Sequence, residues 1–494
     1  MLAEMAARTD LSRLKDPRLF REYAYVAGEW RAAVSGKAVA VRNPATGESL
    51  GAVASLDAAE ARAAIEAAQA AFPVWRDRLP QERAQLLHAW HAAILESRED
   101  LALLMTLEQG KPIAESRSEI DYAASFVAWY AEEAKRLNVE SVSSHLPGAE
   151  TIVRREATGV AALVTPWNFP SAMIARKATA ALAAGCTVVL HPSKETPFSA
   201  LALAELAERA GLPAGVFNVV TGDAAAIVGA FCAHPAVRVV SFTGSTEIGR
   251  RIAGLCAPTI KRLAMELGGH APFIVFPDAN LERAVEQAMA AKFATSGQDC
   301  LAANRFYVHS EIHDRFVGAF ASRVRALKLG NGLDPASDIG PLIHERAVAK
   351  CEEQVADALA RGARLLTGGK RLSPDSLFFE PSVLVEVPAD ALIMREETFG
   401  PIAAFARFDD EGAVLRAAND TEYGLVAYLF TEERRRIARF GRELQYGMVA
   451  INRAKITGAP IPFGGMKQSG LGREGSRHGI EAFTEIKYLC LDTA

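Results

Sequence analysis

Cysteine is scarce in this chain and never paired. Six cysteines, at positions 186, 232, 256, 300, 351 and 490, are spread over 494 residues with no C-x-x-C. That excludes a disulfide-built scaffold and fits free thiols in a reducing compartment. The ten histidines are equally scattered. No Cys/His cluster has metal-ligand spacing, so no metal is expected. A strong charge of one sign is missing too: the formal net charge is −4, which argues against nucleic acid or an anionic membrane as partner. Long apolar runs are absent. The charge-free stretch 178–190 is broken by Gly and Thr and is too short to span a bilayer. Residues 1–20 mix Glu, Arg, Asp and Lys without an apolar core, so no secretory signal is read there. The expected location is cytoplasmic.

What is present is a soluble-type composition, half hydrophobic and 23% charged, with length for two or three domains. The first ~55 residues carry strand and turn signals. From Asp57 to about 137 the pattern is helical, with Asp57 as a cap and a second helix start at 79–83. Residues 151–155 alternate as a strand. Strands then alternate with helices: strand 160–164, helix 171–184, strand 187–190, helix 197–210, strand 216–220, helix 224–233, strand 237–242, helix 246–255. The alternation resumes at 272–276 and continues beyond 420. This predicts an α/β protein with parallel sheets covered by helices on both faces.

Residues 239–250, Val-Val-Ser-Phe-Thr-Gly-Ser-Thr-Glu-Ile-Gly-Arg, run strand, turn, helix. Backbone N–H groups at such a helix start attract phosphate. The dinucleotide fingerprint G-x-G-x-x-G is absent, and Arg250-Arg251 after Gly249 excludes a P-loop. Taken alone, the segment reads first as an ordinary capped turn. In Thr165-Pro166-Trp167-Asn168-Phe169-Pro170, prolines on both sides fix a rigid turn. Such a turn can hold the Asn168 amide as an oxyanion donor must be held; alone it reads as a structural turn.

The sharpest feature is Ser296-Gly297-Gln298-Asp299-Cys300, downstream of Met265-Glu266-Leu267-Gly268-Gly269. A thiol and a carboxylate among glycines suggest covalent catalysis, the thiolate attacking a carbonyl and the carboxylate moving a proton. The sequence from Ala302 onward predicts a helix, which would place Cys300 at a helix N-terminus and lower its pKa. Asp299 would oppose this if it faced the sulfur, so it is expected to point away. The other five cysteines are expected to be buried apolar fillers. Residues 395–401 and 462–470 read as shaped loops.

Together these segments resemble the aldehyde dehydrogenase superfamily across nearly the whole chain and in motif order. The carriers are Pro-Trp-Asn-Phe-Pro, Phe-Thr-Gly-Ser-Thr-Glu-Ile-Gly, Glu-Leu-Gly-Gly, Gly-Gln-x-Cys, Glu-Glu-x-Phe-Gly-Pro and Pro-Phe-Gly-Gly. Residues 105–112 and 470–476 look most like succinate-semialdehyde dehydrogenases. The resemblance implies that the Cys300 thiolate attacks an aldehyde, that Asn168 and the Cys300 N–H hold the oxyanion, and that Glu266 activates water on a thioester. It implies NADP or NAD bound by Thr165, Pro166, Trp167, His191, Ser193, Lys194, Gly222, Gly244, Ser245, Leu267, Glu397 and Phe399. Substrate would meet Phe169, Arg176, Arg453, Lys455, Thr457 and Phe463. The implied architecture is two Rossmann-type domains plus a β-arm: a cofactor domain at 1–133 and 155–266, a catalytic domain at 267–455, and an oligomerisation arm with tail at 134–154 and 456–494. A homodimer or homotetramer follows, joined through strands near 152–155 and 485–491.

The chain departs from that family at informative places. His191 stands where a ribose-contacting lysine is usual. Lys194 stands where NAD-preferring members often have glutamate; a cation there suits a 2′-phosphate, hence a lean to NADP. Relatives acting on succinate semialdehyde usually carry an arginine six residues before the nucleophile, and here that is Ala294. Arg176 is kept. Ala302 replaces a cysteine that could pair with the nucleophile. Arg453 and Lys455 are new cations on the substrate loop. Expected substrates are succinate semialdehyde, then glutarate semialdehyde or phosphono- and sulfo-aldehydes. The loss at 294 leaves open a neutral or aromatic aldehyde, and the fold alone leaves open a non-catalytic binding protein.

Overall fold

The computed structural model describes residues 10–137 and 139–493. Met1 to Thr9, the beginning of the stretch read as lacking a secretory signal, lie outside the described residues, as do Asn138 and Ala494. Among the described residues no helix is long and apolar enough to cross a membrane.

The helical stretch starts where the capping chemistry is strongest. Asp57 accepts from the N–H groups of Ala59 and Glu60, and Glu60 accepts from the N–H of Asp57 in return. This reciprocal cap opens helix Ala58–Arg76. Pro80 begins the next helix, with Glu82 accepting from the Leu79 N–H at 3.0 Å.

Two large sheets follow from the β/α alternation. The first has eight strands, ordered Gly470–Leu471, Arg262–Glu266, Val237–Thr243, Val160–Thr165, Thr187–Pro192, Phe217–Val219, Ala24–Val26, Glu29–Arg31. Its five central strands are parallel, and the others join antiparallel at the edges. The chain order reverses between Val160–Thr165 and Val237–Thr243. At such a switch point the two connections leave in opposite directions and open a crevice beyond the strand ends. The second sheet is ordered Arg364–Thr367, Ser382–Val385, Ile402–Phe408, Ala303–His309, Ala271–Val275, Val426–Phe430, Met448–Ile451, and all but the first are parallel.

One expectation fails here. The segment after Cys300 is not a helix. Ala303–His309 is a central strand, paired with Ala271–Val275 on one side and Ile402–Phe408 on the other. Its Phe306 packs against Phe273 and Phe405, and that burial outweighs the weak local preference of Ala302-Ala303-Asn304.

A third sheet projects from the body. Ala149–Ala157 pairs along its whole length with Thr484–Asp492 and carries Glu140–Val142 on its other edge. Ile486, Tyr488 and Leu491 stand exposed on it. Cys490 is exposed there as well, against the expectation of burial, whereas Cys186, Cys232, Cys256 and Cys351 are buried.

Candidate active site

Cys300 stands where the outer end of the first sheet meets the near end of the second. The backbone leading to it is forced. Thr295, Ser296 and Gly297 take φ of 50°, 58° and 73° in succession. Left-handed non-glycine residues cost of order 1–3 kcal/mol each and persist only when over-determined. The restraints are visible. Glu115 accepts from both the N–H and the hydroxyl of Thr295, at 2.9 and 3.2 Å. Ser296 donates to the Gly340 carbonyl at 2.9 Å, and Gln298 accepts from the Ile343 N–H at 2.9 Å. At Gly297 a Cβ would lie 2.3 Å from the Gly400 carbonyl oxygen, so only glycine fits.

Asn168 lies beside this turn. Its side-chain amide donates one N–H to the Gln298 carbonyl at 3.0 Å, leaving the other available. Lys111 donates to the Asn168 carbonyl at 2.6 Å and pairs with Glu119 at 2.7 Å. Glu119 in turn accepts from the N–H groups of Ser171 and Ala172, at the start of helix Pro170–Ala184. The Pro-Trp-Asn-Phe-Pro turn is thus tied down by a buried ion pair.

Glu266 ends strand Arg262–Glu266 and is 3% exposed. One of its carboxylate oxygens has no hydrogen-bond partner. Burial first, then the charge of Glu474, push its pKa well above the carboxylate range, against the pull of Arg176, Lys177 and Arg473. A basic, unpartnered carboxyl of this kind suits a general base.

The thiol departs from expectation. With no helix after it, Cys300 gains no helix-end stabilisation. Burial and then the neighbouring Asp299 carboxylate push its pKa well above normal, with Arg176 opposing. Asp299 accepts from the Leu301 N–H at 2.9 Å, and its charge lies close enough to raise the thiol rather than being turned clear of it.

Two cavities meet at Cys300, which lines both, as does Met173. The smaller, 250 Å³, lies at the switch point of the first sheet and is walled by Pro166, Trp167, Asn168, Gly244, Ser245, Leu267, Glu397 and Phe399. Trp167 packs edge-on against Phe399 at 5.5 Å. Ser245 caps helix Thr246–Cys256 by accepting from the Ile248 N–H. Glu397 accepts from the Gly269 N–H at 2.8 Å, and burial lifts its pKa to about 7. Thr165 and Thr243 close the two flanking strands with buried hydroxyls that lack partners. Backbone N–H groups, orphan hydroxyls and a carboxylate beyond a switch point suit a dinucleotide.

Not every residue expected on the cofactor lines that cavity. His191 turns inward, its ring nitrogen 2.9 Å from the Val220 carbonyl, and burial holds it neutral. Ser193 bonds Glu195. Lys194 is exposed over a separate groove with Arg42, Glu108 and Ile343. Gly222, at φ 137°, abuts Leu56, whose backbone would sit 2.4 Å from a Cβ.

The larger cavity, 430 Å³, is walled by Phe169, Arg176, Lys455, Thr457 and Phe463 among others, with Ala294 exposed at its edge. Arg453 does not reach it. That side chain is exposed and donates to the Lys455 carbonyl at 2.9 Å, which folds it back along its own loop. Arg176 does line the cavity, stacked 4.1 Å over Phe463, but lies 2.6 Å from Glu474.

Sequence reading missed Lys177, Glu474, Lys111, Glu119 and Glu115. Lys177 donates to Ser241 at 2.9 Å and pairs with Glu474. One signal was there: Arg176 and Lys177 are two cations inside an otherwise apolar helix, and buried charges require partners.

The aldehyde dehydrogenase family profile matches residues 30–489. The succinate-semialdehyde dehydrogenase [NADP(+)] of Escherichia coli is 54% identical, over 97% of this chain and 99% of its own. A glutarate-semialdehyde dehydrogenase of Pseudomonas aeruginosa is 53% identical, over 97% and 99%. The crystal structure of an E. coli NADP-dependent enzyme superposes with a TM-score of 0.96 at 53% identity, covering 97% of this chain and all of that one.

Proposed function

The chain belongs to the aldehyde dehydrogenase family, and from that premise we propose that it oxidises a carboxylate-bearing aldehyde, of the succinate or glutarate semialdehyde class, to the acid with NADP or NAD. The observation that carries this reading is Cys300 on the wall shared by two cavities. A nucleophile between a substrate chamber and a dinucleotide chamber is what covalent aldehyde oxidation needs.

The steps follow from the residues. Glu266, the basic carboxyl near the thiol, takes its proton. The thiolate adds to the carbonyl carbon, and the free N–H of the Asn168 amide, with the Cys300 backbone N–H, holds the resulting oxyanion. A dinucleotide, when bound, would supply the acceptor for the hydride lost from the adduct, and Cys300 would then carry a thioester. Glu266 passes that proton to solvent and, again a carboxylate, deprotonates water for attack on the thioester; the adduct collapses to the acid and the Cys300 thiolate, which takes the proton back from Glu266. Glu397 would hold the ribose, with Phe399 against the ring, and Ser245 with its helix would meet the pyrophosphate.

Lys194 and the similarity to an NADP(+) enzyme favour NADP. Lys455 takes over the anion-attracting role of the arginine missing at 294, alongside Arg176. A neutral aldehyde is the second reading, favoured by the commitment of Arg176 to Glu474. In this proposal 1–133 with 155–266 form the cofactor domain and 267–455 the catalytic domain. The projecting sheet, with exposed Ile486, Tyr488 and Leu491, joins subunits into a homodimer or homotetramer, working in the cytoplasm.

The test is the initial rate of reduced-dinucleotide formation with succinate semialdehyde, using NAD and NADP in parallel and Cys300→Ala as the blank. A Cys300-dependent rate supports the reading. Silence with this substrate and activity on neutral aldehydes transfers support to the second.

A further inference from the structure

The charges around the larger cavity do not match a simple anion. Besides Tyr122 and Cys300, six acidic or basic side chains line it: Lys111, Glu115, Glu119, Arg176, Asp299 and Lys455. Lys111 is consumed by Glu119 at 2.7 Å, and Arg176 faces Glu474 at 2.6 Å. Among the described residues neither Glu115 nor Asp299 closes an ion pair, although the charge of Lys111 is felt by both and that of Arg176 by Asp299. Their hydrogen bonds come from Thr295 and from Leu301. Lys455 is left as an exposed cation on the opposite loop. A substrate carrying only a carboxylate would find one loose cation and two unpaired acids in the same chamber.

We propose that the substrate carries an ammonium group as well as its carboxylate and aldehyde, with Asp299 and Glu115 as the ammonium subsite and Lys455 as the carboxylate subsite. This rests on the assignment of the cavity as the aldehyde site. The geometry is consistent in three ways. Asp299 is fixed by its turn beside Cys300, so an ammonium it binds sits near the reacting carbon. Glu115 spends one oxygen on Thr295 and keeps the other. The buried Arg176 has its Nε 2.6 Å from Glu474, so the exposed Lys455 is the cation open to the anionic end. Burial raises both carboxyls, with the charge of Asp299 adding to it at Glu115, and an ammonium between them relieves that cost.

The experiment uses the full chain with its dinucleotide and two aldehydes differing only in the ammonium: 4-oxobutanoate and 2-amino-4-oxobutanoate. kcat/KM is expected to favour the amino compound by about tenfold, the scale of one charge-assisted hydrogen bond. In Asp299→Asn and Glu115→Gln, which keep an acceptor for the local turn, that ratio should fall toward unity. A wild-type ratio at or below unity, or a preference surviving in both variants, overturns the proposal. The unreactive pair 2-amino-4-hydroxybutanoate and 4-hydroxybutanoate, used as competitive inhibitors, reads the same discrimination without turnover. If 4-oxobutanoate is oxidised in a Cys300-dependent way with no preference, the ammonium subsite alone is refuted. If neither aldehyde gives a Cys300-dependent rate, the aldehyde site itself is refuted.

Discussion

Asn168 and Gln298, 130 positions apart in sequence, are joined by one hydrogen bond: the Asn168 amide donates to the Gln298 carbonyl at 3.0 Å. That bond aims the rest of the amide at the space beside Cys300. The turn bearing Asn168 is itself held by Lys111 and Glu119. An oxyanion donor acts by being in place before charge develops, so little energy goes into arranging it.

Replacing Asn168 with Ala therefore removes a preorganised donor. Its kcat is expected to fall about 10²- to 10³-fold with KM for aldehyde changing far less. Steady-state kinetics check this, and a loss in KM alone would show that the amide binds the ground state instead.

With Glu397 on the dinucleotide as proposed, the cofactor site gains a pH dependence. Burial raises its pKa to about 7, against the pull of the Gly269 N–H and Lys350. Below that value the carboxyl is protonated; above it the group is ionised and a better acceptor for a ribose hydroxyl. KM for the dinucleotide should fall as pH rises through about 7 and then level. Glu397→Gln should flatten the profile at the weaker value. A wild-type KM constant between about pH 6 and about pH 8 would count against the assignment.

How much of this was readable in sequence depends on range. The Asp57 cap, the strand ending at Thr243 with its Ser245 turn, and the proline-bounded Asn168 turn are local devices, and local chemistry identifies them. The strand after Cys300 was not readable, because Ala303-Asn304-Arg305 lacks β-branched residues and forms a strand only between two others. Arg305 looks like a surface cation yet is buried, donating to the carbonyls of His270, Ala417 and Ala418. Glu115 bonding Thr295 and Lys177 bonding Glu474 span 180 and 297 positions. No periodicity encodes such pairs; only the folded sheets bring them together.

The cluster behind Glu266 should matter for stability. Glu474 is buried between Arg176 and Lys177. Glu474→Ala strands two buried cations without their partner, and removing one member of a buried pair costs about 3–5 kcal/mol. Urea unfolding followed by tryptophan fluorescence should show an earlier midpoint. A midpoint unchanged from wild type would mean that water or rearrangement solvates both cations.

Lys194 tests the cofactor reading most directly. It is exposed just beyond the end of strand Thr187–Pro192, in a groove that also holds Arg42. Lys194 and Arg42 share those walls with Glu108 and Glu195, and none of the four lines the smaller cavity beside Cys300. Lys194→Glu exchanges an attractive charge for a repulsive one beside a 2′-phosphate. KM for NADP is expected to rise at least about tenfold, a change near 1.4 kcal/mol, with kcat retained. KM for NAD, which has no 2′-phosphate, should stay level or fall, because a carboxylate can accept from both ribose hydroxyls. Equal shifts for the two dinucleotides would place Lys194 away from the 2′ position and remove the structural basis for an NADP preference.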